Sequence, residues 1–524
     1  PLPAGFACVI TDDERGVAAC LATHIAREGG KAILIRGRHS STASGETGYS
    51  ADLSHLDSVE SELSRIRDDC GRIGALIHLA PLREEEGASL PNAAEWRSRT
   101  ATEVKGLFNL MKAAGGDVRQ SSGRRYTGLL AAASMGGGWA LGSDTPDSPD
   151  SNFFPAHGGI AGIVKTAAQE WPEVACRVVD MDLRDSPDEL ASRLFAELCT
   201  PDSCVQVGYR NGRRVSVRPA TSSIPRSSAP DAAQLKSGMP VLGPDSVVMA
   251  TGGARGITAE IAIDVAARSP GSTWVLLGRS PSPAETEPAE TRALETIEAV
   301  RAHFVSAART DGSKFSVTAV ESKVRRLIQE REIRRNLTRF VAASAMVRYV
   351  QADVGDSAAV AAAIADVRRE FGRLDGVIHG AGTIDDRLIE SKSPESFDSV
   401  FDPKVDAAVS LAHALDDSPP SFLVFFSSTA AAFGNKGQCD YAAANEVLNK
   451  LAEFLVRRWK RRVVAIGWGP WDGAGMVSPE LRKSLIAAGT PMIDVAHGVT
   501  AFTRELESGS IGSSQVIYTG ELAT

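Results

Sequence analysis

Four polar side chains in the second half of the chain have types and spacings that suit proton transfer at a carbonyl group. Tyr441 follows Ser428 by 13 residues, and Asn445 follows Tyr441 by four. Lys404 precedes Ser428 by 24 residues. A phenol can protonate an oxygen that gains charge, a nearby ammonium favours the phenolate, and a hydroxyl can hold the oxygen in place. The set therefore indicates acid catalysis on a polarised carbonyl.

A glycine-rich turn lies upstream of this set, between the apolar stretch SVVMA (246–250) and the amphipathic stretch ITAEIAIDVAA (257–267). Glycine permits a tight turn and lets the backbone approach a pyrophosphate, and the following helix offers free N–H groups. The position after a strand and before a helix predicts a dinucleotide site. The residues assigned to this turn are Thr251, Gly252, Gly253, Arg255, Gly256 and Ile257.

The second strand of this unit ends at Arg279, in VLLGRS, and no acidic residue competes there. A carboxylate at this point repels the 2′-phosphate of a dinucleotide, whereas an arginine attracts it. We therefore expect NADPH as the cofactor, with Arg255 as a second clamp. The alternative is that Arg279 is only a surface residue.

Two later strand ends complete the expected cofactor site. Asp353 and Val354, in VQADVGD, are placed to meet the adenine edge. The turn HGAG (379–382) contributes Gly380, Ala381 and Gly382 where the ribose and nicotinamide pass. The alternative is that each segment only ends a strand, but their order after the glycine turn favours the functional interpretation.

The elements that must position these residues occur twice along the chain. GRIGALIHLAPL (71–82) matches GRLDGVIHGAGT (372–383), and HGGIAGIVKTAAQEW (157–171) matches YAAANEVLNKLAEFL (441–455). Apolar strands alternating with amphipathic helices predict parallel sheets buried on both faces. The fold class is therefore α/β, with two tandem Rossmann-like, doubly wound parallel sheets.

The Ser-, Pro- and Ala-rich stretch 220–238 is typical of a linker, so we place the boundary near residue 235. This gives a domain at 1–235 and a second at 236–524. The second domain carries a helical insertion at about 281–345, which favours a solvated surface helix over a partner-docking arm. A start at Pro1 suggests a piece of a longer polypeptide, in which neighbouring domains are expected.

Composition excludes several classes of function. A net charge of −8 and a pI near 5.7 give no basic field for nucleic acid or anionic membrane. No apolar run is long enough to span a bilayer, and seven scattered cysteines lack metal-ligand spacing. We expect a cytoplasmic protein with reduced thiols, no bound metal, and no nucleic-acid or membrane partner.

The motifs TGGARGIT, LLGRS, GVIHGAGTIDD, FFSSTAAAFGNKGQCDYAAAN and IGWGPWDGAGM together resemble the ketoreductase domain of polyketide and polyunsaturated fatty acid synthases. That resemblance covers essentially the whole chain and is strongest over 246–476. It implies an NADPH-dependent β-ketoacyl reductase with Tyr441 as the acid, Ser428 holding the carbonyl oxygen and Lys404 lowering the phenol pKa. Asn445 is expected to order the lysine or a water relay. The implied partner is an acyl carrier protein bearing the β-ketoacyl chain.

Substrate orientation is assigned from the same resemblance. Asp385 and Asp386 match the Leu-Asp-Asp signature of members that give the D (3R) alcohol, and Phe433 stands where L-type members carry tryptophan. Gln438 and Trp471 are assigned to the same substrate-facing group. Residues 473–489, after Trp471, are expected to form a lid. Thr258 departs from the family, which usually has glycine at this position.

The first half lacks the reactive set. Asp12 and Asp13 stand where the glycine turn is expected, and their charge would repel a pyrophosphate. His157 stands opposite Tyr441, Glu103 opposite Lys404, and Ala161 opposite Asn445. We therefore predict a structural, non-catalytic first half. Two alternatives for the whole chain remain: a non-catalytic scaffold of a large synthase, and a reductase of free small ketones.

Overall fold

The computed structural model describes residues 6–37, 48–83, 90–121, 125–141, 153–200, 202–222, 242–310, 316–507 and 513–520. Within these ranges the chain forms two large, mostly parallel sheets, one in each half. Helices cover both faces of each sheet, which explains why most strands are continuous apolar runs. The α/β fold class with two Rossmann-like sheets is confirmed.

The first sheet has eight strands in the order β3-β2-β1-β4-β5-β6-β7-β8, of which β8 alone is antiparallel to its neighbour. The strands are β1 (Ala7–Thr11), β2 (Lys31–Gly37), β3 (Tyr49–Ala51), β4 (Ile73–His78), β5 (Thr127–Ala133), β6 (Ala175–Asp180), β7 (Gln206–Arg210) and β8 (Arg213–Ser216). The helices are α1 (Val17–Arg27), α2 (Leu56–Cys70), α3 (Ala93–Thr100), α4 (Gly106–Ser121), α5 (Gly158–Glu170) and α6 (Pro187–Cys199).

The second sheet has seven parallel strands in the order β11-β10-β9-β12-β13-β14-β17, and β15 pairs with β16 separately. The strands are β9 (Val247–Thr251), β10 (Thr273–Gly278), β11 (Met346–Gln351), β12 (Gly376–His379), β13 (Phe422–Ser428), β14 (Arg462–Trp468), β15 (Trp471–Asp472), β16 (Ile493–Asp494) and β17 (Gln515–Tyr518). The helices are α7 (Gly256–Arg268), α8 (Ala289–Arg292), α9 (Ile297–Thr310), α10 (Val317–Ala342), α11 (Ser357–Phe371), α12 (Pro394–Leu415), α13 (Thr429–Phe433), α14 (Cys439–Trp459), α15 (Pro479–Ala487) and α16 (Val495–Glu507).

Both sheets follow the same order through their first six strands, which places the chain reversal between the first and fourth strands of each half. In open α/β sheets this switch point is where a crevice opens at the carboxyl ends of the strands. The predicted internal repeat is therefore present in three dimensions. The predicted boundary near residue 235 lies outside the described residues, and the division into 1–235 and 236–524 stays a prediction.

The two halves share one apolar core, in which α5 packs directly on α14. A Cβ at Gly158 would lie 2.6 Å from the Glu446 carbonyl oxygen, and one at Gly162 would lie 2.6 Å from that of Ala442. Glycine is needed here because the helix backbones approach so closely. Phe108 and Phe397 meet across the halves with ring centroids 4.7 Å apart.

The helical insertion is more than the predicted solvated surface helix. Its helices α9 and α10 pack together through a small apolar cluster that includes Val300, Val324 and Leu327. Further along α10, Phe340 is buried beside Trp274 in a second apolar cluster, which is formed by the second half alone. The prediction missed this face because the sequence of α10 is dominated by charged residues, which hide the few apolar positions.

Candidate active site

The four residues singled out first come together at the carboxyl edge of the second sheet. Ser428 ends β13, Tyr441 lies in the first turn of α14, Asn445 follows one turn later, and Lys404 lies in α12. Lys404 and Asn445 are buried, whereas Ser428 and Tyr441 stay partly exposed. The hydroxyl and the phenol therefore face the crevice, with the lysine and the amide beneath them.

A buried histidine fixes the backbone at Lys404. Thr251 Oγ1 lies 2.8 Å from His379 Nδ1, and His379 Nε2 lies 3.2 Å from the Lys404 carbonyl oxygen. Burial, followed by the nearby Lys404 charge, lowers the pKa of His379 to about 3, so this ring stays neutral. The chain of contacts ties the end of β9, the end of β12 and α12 together.

Two polar atoms in this site have no partner among the described residues. Asn445 Nδ2 donates to the Tyr441 carbonyl oxygen at 2.7 Å, but its buried Oδ1 accepts no hydrogen bond there. Lys404 Nζ has no carboxylate beside it within the described ranges, and burial lowers its pKa to about 8. Buried polar groups without partners mark places that a ligand or water completes. The site is therefore built to receive something polar.

The expected lowering of the Tyr441 pKa is not observed. Desolvation raises this pKa above the ordinary tyrosine value, against hydrogen bonds with the side chains of Asn445 and Ser428 that lower it. Lys404 Nζ lies 5.5 Å from the centroid of the tyrosine ring and is not among the groups that shift this pKa. The phenol is consequently held protonated at neutral pH, which is the form that a proton donor needs.

The glycine turn has the conformation that the sequence predicts. Gly252 has φ +68° and Gly256 has φ +59°, both in the left-handed region that favours glycine. A Cβ at Gly253 would lie 2.6 Å from the side chain of Ala250, and one at Gly382 would lie 3.2 Å from Lys404 Nζ. These glycines leave a backbone-lined cradle that runs from the turn to Lys404, and such a cradle lets a dinucleotide approach the backbone.

Thr258, the departure from the family pattern, is accommodated by a second glycine. A Cβ at Gly380 would lie only 2.0 Å from Thr258 Oγ1. The threonine thus packs into space that Gly380 leaves free, and the start of α7 is kept in place. Ala381 lies on the other side, 3.1 Å from where a Gly252 Cβ would be.

The insertion contacts the glycine turn directly, which the sequence did not reveal. Glu332 accepts a hydrogen bond from Gly256 N at 2.9 Å, and Asn336 donates to the Ala254 carbonyl oxygen at 3.0 Å. Arg339 forms two hydrogen bonds of 2.7 Å with Glu260 on α7. A carboxylate therefore already interacts with a helix N-terminus that attracts anions.

The remaining predicted cofactor residues lie along the outer end of the cradle. Arg279 is exposed at the end of β10, and Arg255 is partly buried in the turn near Tyr349. Asp353 is exposed and accepts a hydrogen bond from Gly355 N at 3.0 Å, while Val354 is buried. Ile257, on the first turn of α7, lies against Gly475.

The residues assigned to substrate orientation form a connected network beside Tyr441. Gln438 donates to both oxygens of Asp386 at 3.0 Å, and Asp385 accepts from Ser396 Oγ at 2.7 Å. The Phe433 side chain is 48% exposed at the rim. Asp385, Asp386 and Gln438 thus lie near Tyr441, and the role of the whole group in stereocontrol stays a prediction.

Trp471 is almost fully buried, with its ring centroid 5.2 Å from that of Trp468 and its indole packed on Gly498. Its assignment to the substrate-facing group stays a prediction, and its position anchors the start of the predicted lid. The lid contains α15, which has no buried side chain and is joined to β15 by the Arg482–Asp472 ion pair. Such a helix can move without disturbing the core.

A buried ion pair adjoins the catalytic helix and was missed from sequence. Lys392 Nζ lies 2.6 Å from Asp440 Oδ2, and both side chains are almost completely buried. Asp440 Oδ1 accepts from the backbone N–H of Tyr441 at 2.8 Å. The position of Asp440, next to the catalytic tyrosine, was the only signal in the sequence.

The first half repeats the frame of the site without its chemistry. Thr11 Oγ1 lies 3.3 Å from His78 Nδ1, and His78 Nε2 lies 2.9 Å from the Glu103 carbonyl oxygen, which matches the Thr251–His379–Lys404 chain. At the reactive positions, His157 Nε2 lies 2.7 Å from a Glu103 oxygen. His157 and Glu103 are fully buried, so no substrate can reach them.

The dinucleotide turn of the first half is filled by its own side chain. The Asp13 carboxylate accepts from the backbone N–H groups of Val17 at 3.0 Å and Ala18 at 2.7 Å. Asp13 is predicted to repel a pyrophosphate, and its carboxylate also takes up the backbone N–H groups that would bind one. Asp12, by contrast, accepts only from Glu14 N at 3.3 Å.

Other features of the described ranges bear on the expected partners. No group of three or more His, Cys, Asp or Glu side chains there is placed to hold a metal ion. Within the same ranges, no helix has both the length and the apolar character needed to cross a bilayer. All seven cysteines are free thiols.

Comparison with known proteins matches residues 246–473 to the family described as the KR domain. A polyunsaturated fatty acid synthase polypeptide of Thraustochytrium sp. is 32% identical over 376 residues, which cover 70% of this chain and 13% of that protein. Polyketide synthase ThaG of Burkholderia thailandensis is 31% identical over 66% of this chain and 5% of its own length. The chain thus spans a small part of these relatives.

Solved structures of similar fold cover nearly the whole chain. An N-terminal ketoreductase from the macrolactin assembly line has a TM-score of 0.68 and 18% identity, over 98% of this chain and 87% of that one. An A1-type ketoreductase has a TM-score of 0.65 and 19% identity, over 99% and 89%. At this identity the likeness concerns the fold, including the paired arrangement of the two halves.

Proposed function

Because this chain belongs to the ketoreductase domains of polyketide and polyunsaturated fatty acid synthases, with its KR domain at residues 246–473, we propose that it reduces a 3-oxoacyl thioester to the 3-hydroxyacyl thioester. The observation that carries the proposal is the arrangement of Tyr441 and Ser428 beside the buried Lys404, whose Nζ lies 5.5 Å from the centroid of the Tyr441 ring. The substrate is delivered on an acyl carrier protein, and the product is the D (3R) alcohol.

The proposed cofactor is NADPH, which supplies the hydride when bound. Backbone N–H groups of the glycine turn hold its pyrophosphate, and Arg279 with Arg255 holds the 2′-phosphate. Gly380, Ala381 and Gly382 line the path toward the nicotinamide. Lys404 and Asn445 would supply partners for the inner ribose, which agrees with the buried, unsatisfied Oδ1 of Asn445 and with the absence of a carboxylate beside Lys404 among the described residues.

The chain's own residues manage the proton. Ser428 holds the carbonyl oxygen, and Tyr441 donates its phenolic proton to that oxygen as it gains negative charge. The raised pKa of Tyr441 keeps the proton in place until the oxygen is basic enough to take it. The Lys404 ammonium then stabilises the phenolate that remains, and Asn445 orders the path by which the proton is replaced.

The test is NADPH oxidation by the folded chain with a surrogate substrate, either a 3-oxoacyl N-acetylcysteamine thioester or trans-1-decalone. We expect steady turnover with NADPH and weak turnover with NADH. Absence of turnover by folded protein with both surrogates and with a carrier-bound 3-oxoacyl chain would contradict the proposal and support a scaffold role.

Cofactor preference gives a sharper prediction. Replacing Arg279 with glutamine is expected to raise the KM for NADPH by about ten- to a hundredfold, because a charged hydrogen bond to phosphate contributes about 1.5–3 kcal/mol. The same variant assayed with NADH is an internal control, since NADH has no 2′-phosphate. An equal loss with both cofactors would mean that Arg279 supports the fold rather than the phosphate.

Glu332 should oppose cofactor binding, since its carboxylate occupies Gly256 N. Replacing Glu332 with glutamine is expected to lower the Kd for NADPH by about two- to fivefold, which corresponds to about 0.3–1 kcal/mol for a charge at a helix N-terminus. Fluorescence titration measures this Kd. Glu330→Gln, two residues away and paired with Arg326, is the matched control. Weaker binding by Glu332→Gln would instead show that the carboxylate supports the turn.

A further inference from the structure

The last residue of α5, in the non-catalytic half, reaches two loops of the catalytic half. Glu170 Oε2 accepts from Ile389 N at 2.7 Å, and Glu170 Oε1 accepts from Gly437 N at 2.8 Å. These donors lie 219 and 267 residues further along the chain. One carboxylate therefore bridges two segments that are far apart in sequence.

The two segments are those that hold the substrate-orienting residues. We name residues 383–392 the Asp loop and residues 433–438 the Gln loop. Asp386 of the Asp loop accepts two hydrogen bonds from Gln438, and Arg387 N donates to the Gly437 carbonyl oxygen at 2.9 Å. The Glu170 carboxylate adds to the contact between the two loops, because each of its oxygens accepts a hydrogen bond from one loop.

Other residues of α5 contact the Gln loop and hold it against the first half. Gln169 Nε2 donates to the Phe433 carbonyl oxygen at 2.7 Å, and Asn435 N donates to Thr166 Oγ1 at 3.4 Å. A Cβ at Gly434 would lie 2.6 Å from the Lys165 carbonyl oxygen. The Gln loop therefore cannot move toward α5, and Glu170 limits its movement away from the Asp loop.

The Asp loop is in turn connected to the acid. Lys392 Nζ donates to the Asp385 carbonyl oxygen at 2.5 Å and also pairs with Asp440. Asp440 accepts from the backbone of Tyr441. A change in the spacing of the two loops must alter how a substrate lies relative to the Tyr441 phenol.

We propose that Glu170 is a specificity-determining positioning residue, which fixes the spacing of the Asp loop and the Gln loop and thereby the face of the carbonyl that is reduced. The inference rests on the proposed reduction. Its chemistry is specific, because only a carboxylate offers an acceptor oxygen to each of two N–H donors. Glutamine offers one acceptor and places an NH₂ group against the other donor.

The experiment compares wild type, Glu170→Gln, Glu170→Asp and Glu173→Gln. Each reduces the N-acetylcysteamine thioester of 3-oxohexanoic acid, and chiral chromatography gives the ratio of the two 3-hydroxy enantiomers. Titration with NADPH gives the cofactor Kd, and thermal unfolding checks the fold. Glu173 is the matched control, since it lies just beyond the end of α5 and pairs with Arg119, which among the described residues reaches the Asp loop only through the exposed carboxylate of Glu390.

For Glu170→Gln we expect the fraction of the minor enantiomer to rise about five- to tenfold, as a buried donor loses its acceptor. The NADPH Kd should stay within about twofold of wild type, because the loops do not form the cradle. Glu170→Asp, which keeps both oxygens on a shorter side chain, should give an intermediate ratio and serves if Glu170→Gln does not fold.

The outcomes separate the two proposals. Turnover with an unchanged enantiomer ratio in both Glu170 variants would overturn the inference and leave the reductase intact. An equal change in Glu173→Gln would also overturn it, since the loss of any carboxylate near the end of α5 would then suffice. No turnover by wild type would overturn the proposed function, and the inference with it.

Discussion

Replacing Tyr441 with phenylalanine is expected to lower kcat by about a hundred- to ten-thousandfold, the range that a positioned general acid contributes. The substitution removes one hydroxyl from a partly exposed ring, so the packing of α14 on α5 is retained. With the phenol gone, Ser428 can still hold the carbonyl oxygen, but the proton must then come from water or from Lys404, whose Nζ lies 5.5 Å from the centroid of the ring. The hydride step then leaves an unprotonated alkoxide.

The measurement is single-turnover and steady-state oxidation of NADPH by Tyr441→Phe, beside its Kd for NADPH. We expect the Kd to change less than about threefold, since the ring is kept and only one hydroxyl is lost. Tyr126→Phe, on the first half and packed near Phe6, is the control and should keep wild-type turnover. A Tyr441→Phe variant with more than a tenth of wild-type kcat would remove the tyrosine from the role of acid.

Replacing Lys404 with methionine is expected to lower the activity and to raise the free energy of unfolding. The ammonium stabilises the phenolate that Tyr441 becomes, so its loss is expected to lower kcat by about a hundred- to a thousandfold. The same charge is buried without an anionic partner among the described residues, and burial lowers its pKa to about 8. This corresponds to about 3 kcal/mol of destabilisation at neutral pH that methionine relieves.

The sign of the pH dependence follows from that shift. Between about pH 8 and the ordinary lysine pKa, the unfolded chain binds the Lys404 proton and the folded chain does not. The free energy of unfolding therefore increases as pH rises through this window. Activity has the opposite slope, because the ammonium is the active form and is lost above about pH 8. Lys404→Met should abolish both slopes, and Lys436→Met, on an exposed side chain, should abolish neither.

Denaturant unfolding at pH 7 and pH 9.5, together with kcat/KM across the same interval, tests both parts. A variant that loses both activity and stability would show that the buried Lys404 charge is compensated in the folded chain. A variant that keeps activity would place the phenolate in contact with some other cation.

Much of the fold could be predicted because it depends on local patterns of apolar and polar residues, and these patterns occur twice in the chain. Alternating apolar strands and amphipathic helices predicted both sheets, and the repeat predicted that Glu103 stands where Lys404 does. The spacing of Ser428, Tyr441 and Asn445 predicted their meeting because one strand end and one helix face fix it. The Thr251–His379 contact was also within reach, since Thr11 and His78 recur at matching positions.

The parts that escaped prediction depend on distant partners. The upward shift of the Tyr441 pKa depends on how much solvent the fold removes from the ring, which sequence spacing does not report. The contact of Glu332 with Gly256 and that of Glu170 with Gly437 join segments 76 and 267 residues apart. Neither Glu332, one of many charges in α10, nor Glu170, at the end of the mostly apolar α5, carries a sign of such a contact in the sequence.

The packing of α5 on α14 has a consequence for how the chain came to tolerate an inactive half. Two similar proteins meeting through equivalent helices would form a symmetric dimer whose survival depends on concentration. Joining them in one chain makes the encounter intramolecular, at a high effective concentration that dilution does not lower. In such a chain one half needs only its contact surface, so residues such as Asp13, Glu103 and His157 can stand where the other half has its reactive set without cost to that half.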